Sequence, residues 1–142
     1  MYKNSADLYA ASRSVTQAYR PVLGELGMTY PQYLVMLVLW ERGTSTVKTV
    51  ADELRLDHGT LTPLLRRMQD AGLVTRRRAK DERFVEVSLT AEGEALRAHA
   101  TRIHCDMKAL LGLDDAEFDA LQKTLRMLSA RVATGAADDA EA

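Results

Sequence analysis

The stretch that decides the fold is VKTVADELRL (Val47–Leu56), HGTLTPLLRRMQDAG (His58–Gly72) and LVTRRRAKDERFVEVSL (Leu73–Leu89). In the first segment Val47, Val50, Ala51 and Leu54 recur at the spacing of one helix face, with Thr46 placed as N-cap. In the second, Leu61, Leu64, Leu65 and Met68 do the same, with Asp57 as N-cap and Gly72 as terminator. Thr60, Thr62, Pro63, Arg66 and Arg67 are left outside that stripe. The third segment reads as two strands with arginines packed at the tip; the return carries Phe84, expected in the core, and Val85, Val87 and Leu89 alternating with Glu86 and Ser88 as an inward face. Helix, tight turn, helix and cationic ribbon make the layout of a winged helix-turn-helix: one helix can enter a major groove and the ribbon a minor groove. Double-stranded DNA is therefore the expected ligand.

Outward from this centre, residues 6–26 read as a helix with Leu8, Ala11, Val15 and Tyr19 on one face, Pro21 as a candidate kink and Gly27 as C-cap. Tyr30-Pro31 opens a second helix, YLVMLVLWERG, apolar nearly all round and so expected to be buried. Thr90 caps a further helix running towards Leu111, which Gly112 breaks. Asp114 and Glu117 have capping-box spacing for a last helix, whose stripe is Phe118, Leu121, Leu125, Leu128 and Val132. The expected class is mainly α with a small β-wing: one domain over 1–142, a reader at 46–89, dimerisation helices at 6–26 and 91–133, and a disordered tail at 134–142. Helices at both ends with unpaired apolar stripes suggest a homodimer on a palindromic operator, whose half-sites lie about 34–36 Å apart.

The 142 residues are 46% hydrophobic and 27% charged, as in an ordinary globular protein. No apolar run reaches the roughly 20 residues of a membrane span, and the N-terminus has no secretion-signal pattern, so the chain is expected in the cytoplasm without membrane attachment. A net charge of −1 conceals an asymmetry. Residues 66–83 hold seven basic residues (Arg66, Arg67, Arg76, Arg77, Arg78, Lys80, Arg83) against three acids, a local +4 that leaves −5 elsewhere. DNA responds to the local field, because charges beyond about 8–10 Å are screened. Phosphate-loop, dinucleotide, zinc-protease and nucleophile-elbow motifs are absent, so neither enzyme nor cofactor is expected. His99 and His104 are five apart, a poor metal-ligand spacing on a helix. The lone Cys105 is expected buried and inert, as free cysteines commonly are, in preference to a reactive thiol beside His104 and Arg102 or an intersubunit disulfide.

Three strings, TYPQYLVMLVLWE (Thr29–Glu41), LRLDHGTLTPLLRRMQDAGLVTR (Leu54–Arg76) and DERFVEVSLTAEG (Asp81–Gly93), closely resemble the MarR family and, within it, the organic hydroperoxide repressors. The resemblance implies a homodimeric repressor of an organic-peroxide or stress-response gene. It also implies that Asp81 holds Arg83 for a minor groove. His58, Thr60, Thr62, Arg66 and Arg67 on the recognition helix, and Arg76, Arg77 and Arg78 on the wing, are the remaining candidate contacts. His58 stands where the resemblance leads one to expect serine, and Pro63 is placed near the first turn.

The resemblance further implies a sensing pocket of Ser5, Tyr9, Tyr19 and Tyr30, with serine where the branch carries its reactive cysteine. A hydroxyl has no oxidation ladder, so the peroxide route is closed in this chain. Either Ser5 replaces a cysteine and locks a DNA-binding state, or the pocket binds a small phenolic or carboxylate effector. For the tyrosines, and for Tyr33 above all, ordinary helix packing competes with a pocket role.

Overall fold

The computed structural model describes the backbone of residues 2–141 and the side chains of residues 3–133. In chain order the elements are α1 (Tyr2–Glu25), α2 (Tyr30–Arg42), β1 (Ser45–Thr46), α3 (Val47–Leu54), α4 (His58–Asp70), β2 (Val74–Arg78), β3 (Val85–Leu89), α5 (Ala91–Ala95), a 3₁₀ turn (Leu96–His99), α6 (Ala100–Leu111) and α7 (Asp115–Glu141). Met1–His104 form one compact unit and Cys105–Ala142 a second.

Local chemistry sets the helix ends. Pro21 does not interrupt α1. The helix closes at Gly27 (φ 72°) with the Met28 N–H donating to Leu23 O and the Gly27 N–H to Gly24 O, the paired bonds of a Schellman motif. Thr29 and Gln32 form a reciprocal capping box for α2. Thr46, Asp57 and Thr90 cap α3, α4 and α5 as the sequence suggests. Pro63 is the sixth residue of α4, in the second turn and not near the first, so it forgoes the bond to the Gly59 carbonyl; Gly59 lies exposed, where water can serve that oxygen.

Leu23, Val35, Met36, Leu39, Val50, Leu61, Leu65, Met68, Val74, Val87 and Ile103 are fully buried and form the core of the first unit. Helix α4 packs on α2, α3 and β2, and its four predicted core residues are all buried. On α1 burial is graded: Leu8 and Ala11 are exposed, Val15 and Tyr19 half-buried, Leu23 fully buried. The antiparallel sheet has the order β1–β3–β2, with Val74 opposite Leu89 and Arg78 opposite Val85. β1 is too short to signal itself by composition and exists through its pairing of Ser45 with Val87 and Thr46 with Glu86.

Two expectations change on the return strand and beyond it. Phe84 and Val85 are exposed, at 39% and 38%, whereas Val87 is buried. Val85 lies two residues nearer the tip, about 7 Å further out, where the ribbon has left the body. The helix expected from Thr90 to Leu111 is broken by the 3₁₀ turn at Leu96–His99. Both helix types place residues i and i+3 near each other, so apolar spacing could not separate them.

In the second unit, Asp114 and Glu117 form the expected reciprocal cap on α7, and Lys108 pairs with Asp115. Leu121, Leu125, Leu128 and Val132 are exposed along α7. The backbone of α7 continues as helix to Glu141, across the stretch read as a disordered tail. Alanine recurs there, and it is the strongest helix former. The tail's side chains lie outside the described residues. Among the described residues no single helix is long and apolar enough to cross a membrane.

The base of the wing is tied down at Gly93. Trp40 Nε1 donates to the Gly93 carbonyl at 3.0 Å. A Cβ at position 93 would stand 2.2 Å from the Leu73 carbonyl oxygen. Gly93→Ala is therefore expected to cost about 1–3 kcal/mol of stability, seen as a lowered urea midpoint. A midpoint equal to that of the parent protein would show that this contact relaxes without strain.

Candidate nucleic-acid interface and aromatic cleft

Helix α4 starts where Asp57 Oδ1 accepts the Thr60 N–H at 2.6 Å. That backbone bond, then the Thr60 side-chain bond, holds the Asp57 carboxyl below its ordinary value. With Leu61, Leu64, Leu65 and Met68 facing inward, His58, Thr60, Thr62, Arg66 and Arg67 are all exposed. His58 and Thr62 line a groove of about 260 Å³ with Lys48 of α3 and with Arg76, Arg83, Phe84 and Val85 of the wing. Thr60, Arg66 and Arg67 are exposed without lining it. Lys48 was missed in the sequence; it falls outside the stripe formed by Val47, Val50, Ala51 and Leu54, and that position was its signal.

The wing tip is pre-shaped. Arg83 donates from Nε to Asp81 Oδ1 at 3.0 Å and from Nη2 to Asp81 Oδ2 at 2.7 Å, a bidentate pair. The Arg83 N–H also reaches Asp81 Oδ1, and the Phe84 N–H donates to the Asp81 carbonyl, which closes the turn. The guanidinium lies 5.8 Å from the Phe84 ring centroid and the Arg83 side chain is 82% exposed, so it is held by protein yet open to a ligand. Arg77, Arg78 and Lys80 line a separate depression with Asp81 and Glu86, and Arg77 sits opposite Glu86 in the ladder.

The second site is an aromatic cleft of about 340 Å³. The Tyr19 ring lies 4.7 Å from Tyr30 and 5.7 Å from Tyr33, and Tyr33 meets Trp40 edge-on at 6.2 Å. Burial, then Tyr30 and Tyr33, push the Tyr19 phenol up to about 12; burial also raises Tyr30 and Tyr33. All three are hydrogen-bond donors at neutral pH. Tyr33 both packs, at 3% exposure, and lines the cleft with Leu34, Leu37, Thr101 and His104.

Ser5 and Tyr9 are exposed and are not among the cleft's lining residues. Ser5 and Tyr19 are on one unbroken helix, 14 residues apart, or about 21 Å at 1.5 Å per residue. A single chain therefore cannot bring them together. Cys105 is exposed, contrary to the buried position expected of it. It stands on the outward side of α6, and residue type alone does not report which side a position takes. Among the described residues no three His, Cys, Asp or Glu side chains converge as a metal site.

Residues 17–99 match the family model described as transcriptional regulator SarA/Rot, a MarR-like winged-helix family. The organic hydroperoxide resistance transcriptional regulator of Bacillus subtilis is 53% identical over 97 residues, which cover 68% of this chain and 66% of that protein, just under two thirds. The regulator MgrA of Staphylococcus aureus is 36% identical over 120 residues, 83% of this chain and 82% of that one. The chain belongs to the MarR family. This is a family of DNA-binding transcriptional regulators and not of enzymes. Its winged-helix architecture matches the structure of reduced AbfR bound to DNA, with a TM-score of 0.78 and 29% identity over 94% of this chain and 92% of that one.

In this MarR-family wing the Arg83 hydrogen bonds hold the Asp81 carboxyl below its ordinary 3.8. A depressed folded-state value means that the pair contributes above pH 3.8 and is lost as pH falls through the lower folded value. Carbon-detected NMR titration should find Asp81 titrating below 3.8, and Arg83→Ala should return it upward. An unshifted Asp81 in the parent protein would mean that the pair does not persist in solution.

Proposed function

We propose that the protein is a cytoplasmic, homodimeric repressor that occupies a palindromic operator. Helix α4 reads the major groove, and the wing places Arg83 in the flanking minor groove, where narrow, electronegative sequence attracts a guanidinium. The observation that carries this reading is the convergence of Lys48, His58, Thr62, Arg76 and Arg83 on one groove beside the Asp81–Arg83 clasp. Phosphate contacts by the cations position the protein; His58 and Thr62 are the groove residues suited to base edges. The exposed Leu8 and Tyr9 of α1 and the exposed stripe on α7 support a second copy as partner.

The regulated gene on this reading serves organic-peroxide or stress defence, with its oxidation sensor disabled by Ser5. A second copy would also resolve the 21 Å separation, since a pocket holding both Ser5 and Tyr19 needs two chains. The aromatic cleft favours a second reading, in which a small phenolic or carboxylate effector binds among the three phenols and shifts the spacing of the two reading helices. Release requires that the effector prefer the non-binding state.

Arg83→Ala should weaken operator binding by about 1–3 kcal/mol in an anisotropy titration; unchanged affinity removes Arg83 from the interface. Cumene hydroperoxide should release operator DNA from Ser5→Cys and not from the parent chain. Indifference of both would favour release by a small-molecule effector instead.

A further inference from the structure

Five cations lie between Arg76 and Arg83: Arg76, Arg77, Arg78, Lys80 and Arg83. Two of them, Arg76 and Arg83, line the groove beside the recognition helix, whereas Arg77, Arg78 and Lys80 line the depression at the tip. Among the described residues the same two are the wing cations whose side chains donate to another side chain: Arg83 to Asp81, and Arg76 from Nε to Gln69 Oε1 at 2.9 Å. We propose that Gln69 is a positioning residue for DNA recognition, doing for Arg76 what Asp81 does for Arg83. This rests on the DNA-binding reading above.

The geometry supports a role beyond surface decoration. Gln69 follows Thr62 by seven residues on α4, two turns along nearly the same face, since seven steps of 100° fall about 20° short of two full turns. The recognition face thus continues into the residue that grips the wing. Arg76 sits on the inner face of the ribbon opposite the fully buried Val87 and is half-buried itself. Its Nε–H is spent on Gln69, so the four Nη hydrogens remain for the groove that His58 and Thr62 share. The acceptor is a neutral amide, which fixes the guanidinium without cancelling its charge. The Asp81 clasp acts within one turn, but the Gln69 bond joins two elements, α4 and β2. It therefore sets the spacing between the cation and the reading helix. Without it, a long flexible side chain must be ordered on binding, at a cost of affinity.

The test uses the full chain and a duplex recovered by in vitro selection with the parent protein. Salt dependence of binding is measured for the parent, Gln69→Leu, Gln69→Asn, Arg76→Ala and the Gln69→Leu/Arg76→Ala double variant. The asparagine variant keeps an amide one methylene too short for Arg76. Both single changes at Gln69 should lower affinity roughly 3- to 10-fold with salt slope and thermal melting unchanged, because the cation is still present, whereas Arg76→Ala should also reduce the salt slope by about one. The double variant should bind no more weakly than Arg76→Ala alone. If Arg76→Ala lowers affinity and slope while both Gln69 variants match the parent, the positioning role is wrong and the DNA reading stands. Additive losses in the double variant also overturn it, because Gln69 would then act on its own. A parent protein that selects no duplex and shows no salt-dependent binding overturns both.

Discussion

Burial of one face of α4 is the constraint on which the rest of the structure depends. Leu61, Leu64, Leu65 and Met68 are all buried, and each such side chain contributes about 1.5–3 kcal/mol when taken from water. Once that face is held against α2, α3 and β2, the rotation of the helix about its axis is settled. His58, Thr62 and Arg66 then have nowhere to go but outward. A polar residue moved into the stripe would cost stability and would also turn the recognition face away from its ligand.

The wing inherits its placement from the same constraint. Gly72, at φ 77°, ends α4, and Val74 enters the core two residues later. Thr90 closes the other end of the ribbon: its hydroxyl donates to the Gly72 carbonyl at 2.6 Å and accepts the Gly93 N–H at 3.0 Å. Its own N–H donates to the Leu73 carbonyl. Both ends of the ribbon are therefore pinned to the C-terminal end of α4, where Gly93 can approach because it lacks a side chain. The rigid base projects a tip whose apolar residues, Phe84 and Val85, are exposed because they have passed beyond the body. Phe84 there backs the Arg83 guanidinium.

Much of this was legible in the sequence, because it rests on local rules. The caps at Thr46, Asp57, Thr90 and Asp114, the stripe of α4 and the glycine at 72 are signals carried by neighbouring residues. The misses share a different character. β1 exists through pairing with β3, a contact distant in sequence. Lys48 and Gln69 acquire meaning only when α3, α4 and the ribbon meet. The exposure of Cys105 and Phe84 follows from where an element leaves the core, not from residue type. Ser5 and Tyr19 match the strings of a related branch, but the length of an unbroken α1 separates them. Pattern resemblance lists residues that share a role without saying that one chain must hold them all.

Recognition helix and wing form one preset unit, so they are expected to engage adjacent grooves together. Hydroxyl-radical and methylation footprinting on a selected operator duplex test this most directly. The account predicts two symmetric half-sites about 10 base pairs apart, each with major-groove purine protection flanked by minor-groove protection on its outer side. Protection confined to the major groove, with the flanks fully cleaved, would contradict it.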